Sequence, residues 1–194
     1  TFPGEMPAWG QFLFARGSFG VFVFFIISGF LITHLLKNEW AKTGTINLFE
    51  FYRRRVFRIF PAFYTYLLVL SILSAGGAVA IAWSHFLDAG MFLWNYKHIW
   101  DQSGGTGNWF LGHFWTLSLE EQFYLLWPLT LLLIRPRGAI WLSAFLIGTM
   151  PIVRVVSYYL LPAWRGQLMM MLHTGADSLM FGCFLALSLD TNRM

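Results

Sequence analysis

Five apolar runs of about twenty residues limit what this chain can fold into, because each can cross the roughly 30 Å hydrocarbon core of a bilayer as a helix. In lipid, every backbone polar group needs an internal partner, so only helices and closed β-barrels cross. The runs lack the apolar–polar alternation of barrel strands. The sequence therefore predicts an all-α fold, a polytopic membrane helix bundle with five firm spans. The runs lie at about 18–36, 59–81, 114–134, 139–161 and 173–189.

The composition of the chain also indicates a membrane protein and excludes other classes of protein. Hydrophobic residues make up 57% of the chain and charged residues 11%, whereas soluble domains carry about 25% charged residues. The basic residues are clustered, which is typical of a membrane protein and not of a nucleic-acid groove. The one cysteine, Cys183, excludes an internal disulfide, and no Gly-rich phosphate loop or metal-binding motif is present in the sequence. We therefore predict no bound cofactor, no metal and no nucleic-acid partner.

A sixth stretch, 83–100, is shorter and is interrupted by Asp88 and Lys97. It either crosses the membrane or forms a re-entrant or interfacial segment. The loop 37–58 holds six basic residues against two acidic ones, and by the positive-inside rule it is cytoplasmic. The distribution of basic residues favours a stretch that does not cross, which places 104–112 outside. The chain starts without Met and without a signal-peptide pattern, as a piece of a longer protein would.

The basic cluster YRRRVFR, residues 52–58, has two interpretations. In the first, the charges only orient the neighbouring spans. In the second, Arg55 and Arg58, which are one helical turn apart, form an anion clamp at the membrane face. Guanidinium groups suit phosphate because they are planar, always charged and able to donate two hydrogen bonds at once. Charge counting does not separate the two interpretations.

Two adjacent carboxylates, Glu120 and Glu121, lie in the most apolar stretch of the chain. A carboxylate at the centre of a bilayer helix costs about 2.5–3.5 kcal/mol, and one Leu returns only about 0.3–0.6 kcal/mol. The pair therefore indicates function: proton transfer, or the orientation of a base. The alternative is a structural ion pair with Arg154. In a helix that begins near His113, Glu121 points about 100° away from Glu120. The face of Glu120 then holds His113, Thr116, Glu120, Tyr124 and Trp127.

Small residues in two other runs are typical of closely packed helices. One set is Ser28 and Gly29, and the other is the pair Gly182 and Ala186, four residues apart. Asp177 lies near the start of the last run, where it either caps that helix or joins a polar cavity. Both possibilities for Asp177 stay open.

Three motifs follow one another in a distinctive order. They are GVFVFFIISGFLI at 20–32, FYRRRVFRIFPAFY at 51–64 and HFWTLSLEEQFYLLWP at 113–128. In sequence and spacing they resemble the acyltransferase 3 family, the multi-span membrane O-acyltransferases of bacterial surface sugars and related acceptors. The segment HTGADSLMFGCFLA at 173–186 looks like a further family segment. The resemblance covers nearly the whole chain and about half of a full family domain.

The resemblance implies an enzyme of the bacterial inner membrane. Such an enzyme takes an acyl group, most commonly acetyl, from cytoplasmic acyl-CoA and places it on a hydroxyl of a cell-surface carbohydrate or lipid-linked sugar. The implied partners are thus acyl-CoA, membrane lipid and the carbohydrate acceptor. We assign candidate catalytic roles to Glu120, Glu121 and His113. Candidate substrate-binding residues are Arg55, Arg58, Ser28, Tyr124 and Asp177.

The chain also departs from the family pattern. The family's first span carries a histidine regarded as the catalytic base, and that span would precede Thr1; later spans would follow Met194. Phe22 stands where many members have a polar residue, and Gly175 where many have Arg, which puts the partner of Asp177 in doubt. We therefore expect residues 1–194 alone to be inactive, and turnover by them would put His113 forward as the base.

Two other classes of function fit parts of the pattern. Paired carboxylates and a mid-membrane Arg also occur in proton-coupled transporters, although no repeat symmetry is visible in the sequence. A catalytically incomplete structural paralogue would retain the motifs without the activity. Both stay open as alternatives to the acyltransferase.

Overall fold

The computed structural model describes the backbone of residues 8–100 and 108–189, and within these ranges it contains helices and turns but no β-strand. The prediction of an all-α helix bundle is confirmed. The helices are α1 Ala8–Thr43, α2 Leu48–Ala75, α3 Trp83–Gly90, α4 Lys97–Trp100, α5 Asn108–Leu111, α6 Phe114–Leu160, α7 Leu172–Gly175 and α8 Asp177–Ser188, with 3₁₀ turns at Trp94–Tyr96 and Pro162–Trp164.

Among the described residues, three helical stretches are long and apolar enough to cross a membrane: Phe19–Thr43, Leu48–Ala75 and Trp109–Leu160. The third contains a break at Arg135, whose φ of 61° and ψ of 164° are not helical. This break divides α6 into the arms 114–134 and 136–160. The apolar run predicted at 173–189 holds the short helices α7 and α8, of which α8 has 12 residues.

Helices α1 and α8 pack at backbone contact through two glycines. A Cβ atom built on Gly182 would lie 2.0 Å from the backbone oxygen of Ile26, and one built on Gly29 would lie 2.2 Å from that of Leu179. Neither position has room for a side chain, so the helices approach each other closely because both residues are glycine. The packing interpretation is confirmed for Gly29 and Gly182.

Gly182→Ala is expected to lower the free energy of unfolding by about 1–3 kcal/mol, the usual cost of overpacking a well-packed core. The added methyl group meets backbone of α1, which has no rotamer to change. Gly148→Ala is the matched control, because a Cβ at Gly148 has no heavy atom within 4 Å. Thermal unfolding in one detergent checks both variants, and equal melting temperatures would contradict the close approach.

Helix α2 and the arm 114–134 run antiparallel. The Tyr52 hydroxyl donates to the Leu125 carbonyl at 2.8 Å, and fourteen residues later the Tyr66 hydroxyl donates to the Phe110 carbonyl at 2.9 Å. The end of α2 and the start of α6 are therefore at the same end of the bundle. The segment 76–113, which joins the two helices, therefore begins and ends at that end of the bundle.

Part of this segment is tied to α6 through Gln122. Its Nε2 donates to the Phe92 carbonyl at 2.7 Å and to Asn95 Oδ1 at 2.9 Å, while Asn95 Nδ2 donates back to Gln122 Oε1 at 3.0 Å. Phe92 has a φ of 54°, and its ring stacks on Phe63 of α2 with centroids 4.6 Å apart. These contacts bring residues 91–95 beside the Glu120–Glu121 region.

Candidate active site

Helices α1 and α6 meet at Tyr124. The Tyr124 hydroxyl donates to Glu120 Oε1 at 3.0 Å, and the Ser28 hydroxyl from α1 also hydrogen-bonds to the Tyr124 hydroxyl. Glu120 and Tyr124 are four residues apart, so they share a helical face, as the sequence predicts. All three side chains are buried, and Glu120 is 6% exposed. The carboxylate thus lies in a polar cluster inside an apolar bundle.

Arg55 of α2 joins this cluster by stacking. Its guanidinium carbon lies 3.9 Å from the centre of the Tyr124 ring and 5.4 Å from that of Phe51. Such cation–π contacts are favourable and leave the N–H groups free to donate in the plane of the guanidinium. Arg55 therefore has a fixed location beside the Glu120 cluster while it keeps its donors for a ligand.

One cavity, which we call the Glu120 cavity, has a volume of about 270 Å³ and lies between α1, α2 and α6. Aliphatic side chains of α1 form one wall. The polar lining groups come from all three helices, and they include both arginines that the sequence singled out. The polar lining residues are Ser28, Arg55, Arg58, Glu120 and Tyr124.

A second cavity, which we call the Glu121 cavity, has a volume of about 320 Å³. Arg55 and Tyr124 line both cavities, so this stacked pair is their common wall. Glu121 lines the second cavity. It therefore points away from Glu120, as its position on the helix predicts. Sequence reasoning missed this cavity, because Phe92 and Tyr52 come from distant segments and carry no motif of their own.

The basic cluster divides into two pairs with different surroundings. Arg53 and Arg54 are exposed and form ion pairs with Glu50, at 2.9 Å and 3.7 Å. Arg55 and Arg58 line the Glu120 cavity, and among the side chains that the structure describes, 19–97, 99 and 109–189, neither makes an ion pair or a hydrogen bond. The second pair thus differs from the first in lining a cavity and in having no acidic partner among the described side chains.

Arg154 is not the partner of the glutamates. Its Nη2 lies 2.6 Å from Asp177 Oδ2, and its Nε donates to the Thr174 carbonyl at 2.8 Å. The structural alternative of an ion pair between Arg154 and Glu120 or Glu121 is therefore wrong. Asp177 lines neither cavity.

Arg154 also supplies the guanidinium that the family pattern would place at position 175. A Cβ atom on Gly175 would lie 2.1 Å from the Met169 backbone oxygen, so this backbone has no room for an arginine there. The charge that faces Asp177 comes instead from the arm 136–160.

The remaining candidate residues lie outside the cluster. The His113 side chain is exposed, its ring packs against Phe114 with centroids 4.6 Å apart, and it lines neither cavity. Trp127 Nε1 donates to Thr33 Oγ1 at 2.8 Å in the core between α1 and α6. In the part of the chain that the structure describes, no three metal-ligating side chains come together.

Comparison with known proteins adds an independent observation. The family model of acyltransferase 3, described as "Acyltransferase domain", matches residues 1–193. The chain is 34% identical over 134 residues to the peptidoglycan O-acetyltransferase OatA of Listeria monocytogenes, a match that covers 63% of this chain and 21% of that protein. It is 30% identical over 181 residues to the O-acetyltransferase OatA of Staphylococcus aureus, covering 88% of this chain and 30% of that protein. The chain thus spans less than a third of the length of these relatives. No solved structure matches it significantly.

Proposed function

This chain belongs to the acyltransferase 3 family, and from that membership we propose a multi-span O-acyltransferase of the bacterial inner membrane. It moves an acyl group, acetyl in the simplest case, from acyl-CoA to a hydroxyl of a cell-wall carbohydrate. The names of the two relatives support acetyl transfer and, for the Listeria protein, a peptidoglycan acceptor. The observation that carries the proposal is the Glu120 cavity, whose lining combines a buried carboxylate with two arginines that have no ion-pair or hydrogen-bond acceptor among the described side chains.

The donor binds at the cytoplasmic end of the bundle in this proposal. Because α2 runs antiparallel to the arm 114–134, Arg135 and Arg137 lie at the end where α2 begins, together with the basic cluster. By the positive-inside rule that end is cytoplasmic. The anionic phosphates of acyl-CoA can therefore reach Arg58 and Arg55 from the cytoplasm.

The size of the Glu120 cavity fits only part of the donor. Its volume of about 270 Å³ is below the roughly 300–1,000 Å³ of pockets that enclose drug-sized ligands. We assign it to the acyl group and thioester, with the remainder of CoA extending along the arginines toward water. The Ser28 hydroxyl at its wall is a donor that suits the oxyanion forming on the thioester carbonyl.

The reaction joins the acceptor hydroxyl oxygen to the acyl carbon and breaks the carbon–sulfur bond. The hydroxyl proton leaves the acceptor, and CoA departs as its free thiol, so the products are an ester and CoA. A base must remove that proton. In this proposal Glu120 receives it or orients the group that does, and Tyr124 and Ser28 hold the carboxylate in place.

Arg58→Gln is expected to raise KM for acetyl-CoA by about tenfold, since a charge-assisted hydrogen bond contributes about 1.5–3 kcal/mol. Arg53→Gln is the matched control: it removes the same charge from the same helix, but Arg53 lines neither cavity and is paired with Glu50. Its KM should stay within about twofold, as expected for a surface ion pair. Steady-state kinetics of the full-length protein measure KM for both variants. Equal changes in KM would show that the basic cluster only orients the neighbouring spans in the membrane.

A further inference from the structure

A third cavity, which we call the Arg165 cavity, lies between the end of the arm 136–160 and the segment that leads to α7. Its volume is about 280 Å³, and it shares no lining residue with the Glu120 cavity or the Glu121 cavity. It is therefore separate from the candidate active site. Its walls include two arginines and two tyrosines, with apolar side chains beside them: Arg154, Arg165, Tyr158, Tyr159, Val155 and Met169.

The Arg165 cavity lies at the outer end of the bundle. The segment 76–113 begins and ends where α2 ends, and its Tyr96 hydroxyl accepts the Leu172 N–H at 3.2 Å. Two residues farther along, the Thr174 carbonyl accepts from Arg154 Nε at 2.8 Å. These contacts place the cavity at the end of the bundle opposite to the basic start of α2. That start is cytoplasmic by the positive-inside rule, so the cavity is on the outer side.

The two arginines of the cavity differ in how their charge is balanced. Arg154 forms an ion pair with Asp177 at 2.6 Å. Arg165 donates through Nε to the Tyr158 carbonyl at 2.8 Å, and its guanidinium carbon lies 4.8 Å from the centre of the Tyr158 ring. Among the described side chains, Arg165 has no ion pair and no other hydrogen bond. The guanidinium is thus held in place with its charge unbalanced and its Nη groups able to donate.

The location and the charge together indicate the class of ligand. Orientation in the membrane does not account for Arg165, because the positive-inside rule concerns basic residues on the other side. A cation is disfavoured beside it, whereas a phosphodiester accepts the two parallel hydrogen bonds that a guanidinium donates. Tyrosines gather at the headgroup level of a bilayer, and Tyr158 and Tyr159 are both exposed at the end of an apolar helix. The cavity therefore lies at the depth of lipid phosphates.

The walls also indicate how the ligand enters. Val155 and Tyr159 are exposed on the apolar arm 136–160, the surface that meets lipid in a membrane, so the cavity opens beside the bilayer. Its volume of about 280 Å³ is below the roughly 300–1,000 Å³ of pockets that enclose a whole drug-sized ligand. We propose that the Arg165 cavity binds the phosphodiester headgroup of an anionic phospholipid, whose acyl chains stay in the bilayer. Arg165 binds the phosphate, and Tyr158 holds the guanidinium in position.

The test measures lipid binding to the full-length protein in a neutral detergent by native mass spectrometry, with phosphatidylglycerol as the probe and phosphatidylcholine as the zwitterionic reference. Arg165→Gln is expected to raise the Kd of the tightest-bound phosphatidylglycerol by about tenfold, equivalent to about 1.4 kcal/mol. Tyr158→Leu removes the ring on which the guanidinium stacks and should raise this Kd about two- to fivefold. Arg165→Lys, which keeps the charge but not the planar fork, should give a value between wild type and Arg165→Gln. The Kd for phosphatidylcholine should stay within about twofold in all three variants.

Arg137→Gln is the matched control, because Arg137 is an exposed arginine near the opposite end of the same arm and lines none of the three cavities. An equal rise in Kd for Arg137→Gln and Arg165→Gln would overturn the proposal by showing that only net charge matters. An unchanged Kd in Arg165→Gln would overturn it directly. If Tyr158→Leu does not fold, the two Arg165 variants decide.

Two competitors distinguish other ligands that could fill the same cavity. Displacement of phosphatidylglycerol by an equal concentration of glycerol 3-phosphate would overturn the lipid assignment in favour of a soluble phosphate ester. Tighter binding of a neutral diglucosyl diacylglycerol than of phosphatidylglycerol would overturn it in favour of a sugar. Because the readout is binding and not turnover, loss of the proposed acyltransferase function would leave this result unaffected.

Discussion

Glu120→Gln in the full-length enzyme is expected to lower kcat for acyl transfer by a factor of about 10²–10⁴, the usual contribution of a general acid or base. The substitution keeps the shape of the side chain, so the cavity retains its volume. It removes the negative charge of the carboxylate, which accepts a hydrogen bond from the Tyr124 hydroxyl at 3.0 Å and lines the Glu120 cavity together with Arg55. The rate of ester formation from labelled acetyl-CoA, measured on purified protein, checks the prediction.

Two further variants make this result specific. Glu50→Gln also removes a carboxylate, but from exposed ion pairs on α2, and should keep kcat within about twofold. Tyr124→Phe removes only the hydroxyl and keeps the ring on which Arg55 stacks, so a smaller loss is expected. Wild-type kcat in a correctly folded Glu120→Gln protein would show that the carboxylate is structural.

Much of the site could be predicted from helical periodicity. The spacing of 3.6 residues per turn fixes which side chains share a face, so it predicts that Glu120 lies with Tyr124 and points away from Glu121. The same spacing placed Arg55 and Arg58 together. In each case the partners lie on one helix, where sequence distance sets spatial distance.

Contacts between helices could not be predicted in this way. Periodicity shows that a face is polar but not which helix it meets, so the stacking of Arg55 on Tyr124 and the Ser28 hydrogen bond were not foreseen. The same limit explains why the alternative of an ion pair between Arg154 and a glutamate stays open at the level of sequence. A mid-span arginine needs an acceptor, and the sequence offered several carboxylates without a way to choose between Asp177 and the glutamates.

Arg154→Met is expected to lower the free energy of unfolding by about 3 kcal/mol, the lower end of the range for breaking a buried ion pair. The lower end applies because each side chain of the pair is 21% exposed. The variant leaves the Asp177 carboxylate without its cation and the Thr174 carbonyl without its donor. Chemical unfolding of the purified protein in mixed micelles measures the change.

The double variant Arg154→Met/Asp177→Leu separates a structural role of Asp177 from substrate binding. Removing both charges leaves no unpaired ion, so stability should recover by at least about 1 kcal/mol relative to Arg154→Met alone. Because Asp177 lines neither cavity, KM values for acetyl-CoA and for the hydroxyl acceptor should also stay near the wild-type values. A double variant that is stable but has lost affinity for either substrate would instead assign Asp177 to binding, the role that the family resemblance implies. Arg154 would then act as the residue that positions the Asp177 carboxylate for its ligand, and the ion pair would belong to the site and not to the scaffold.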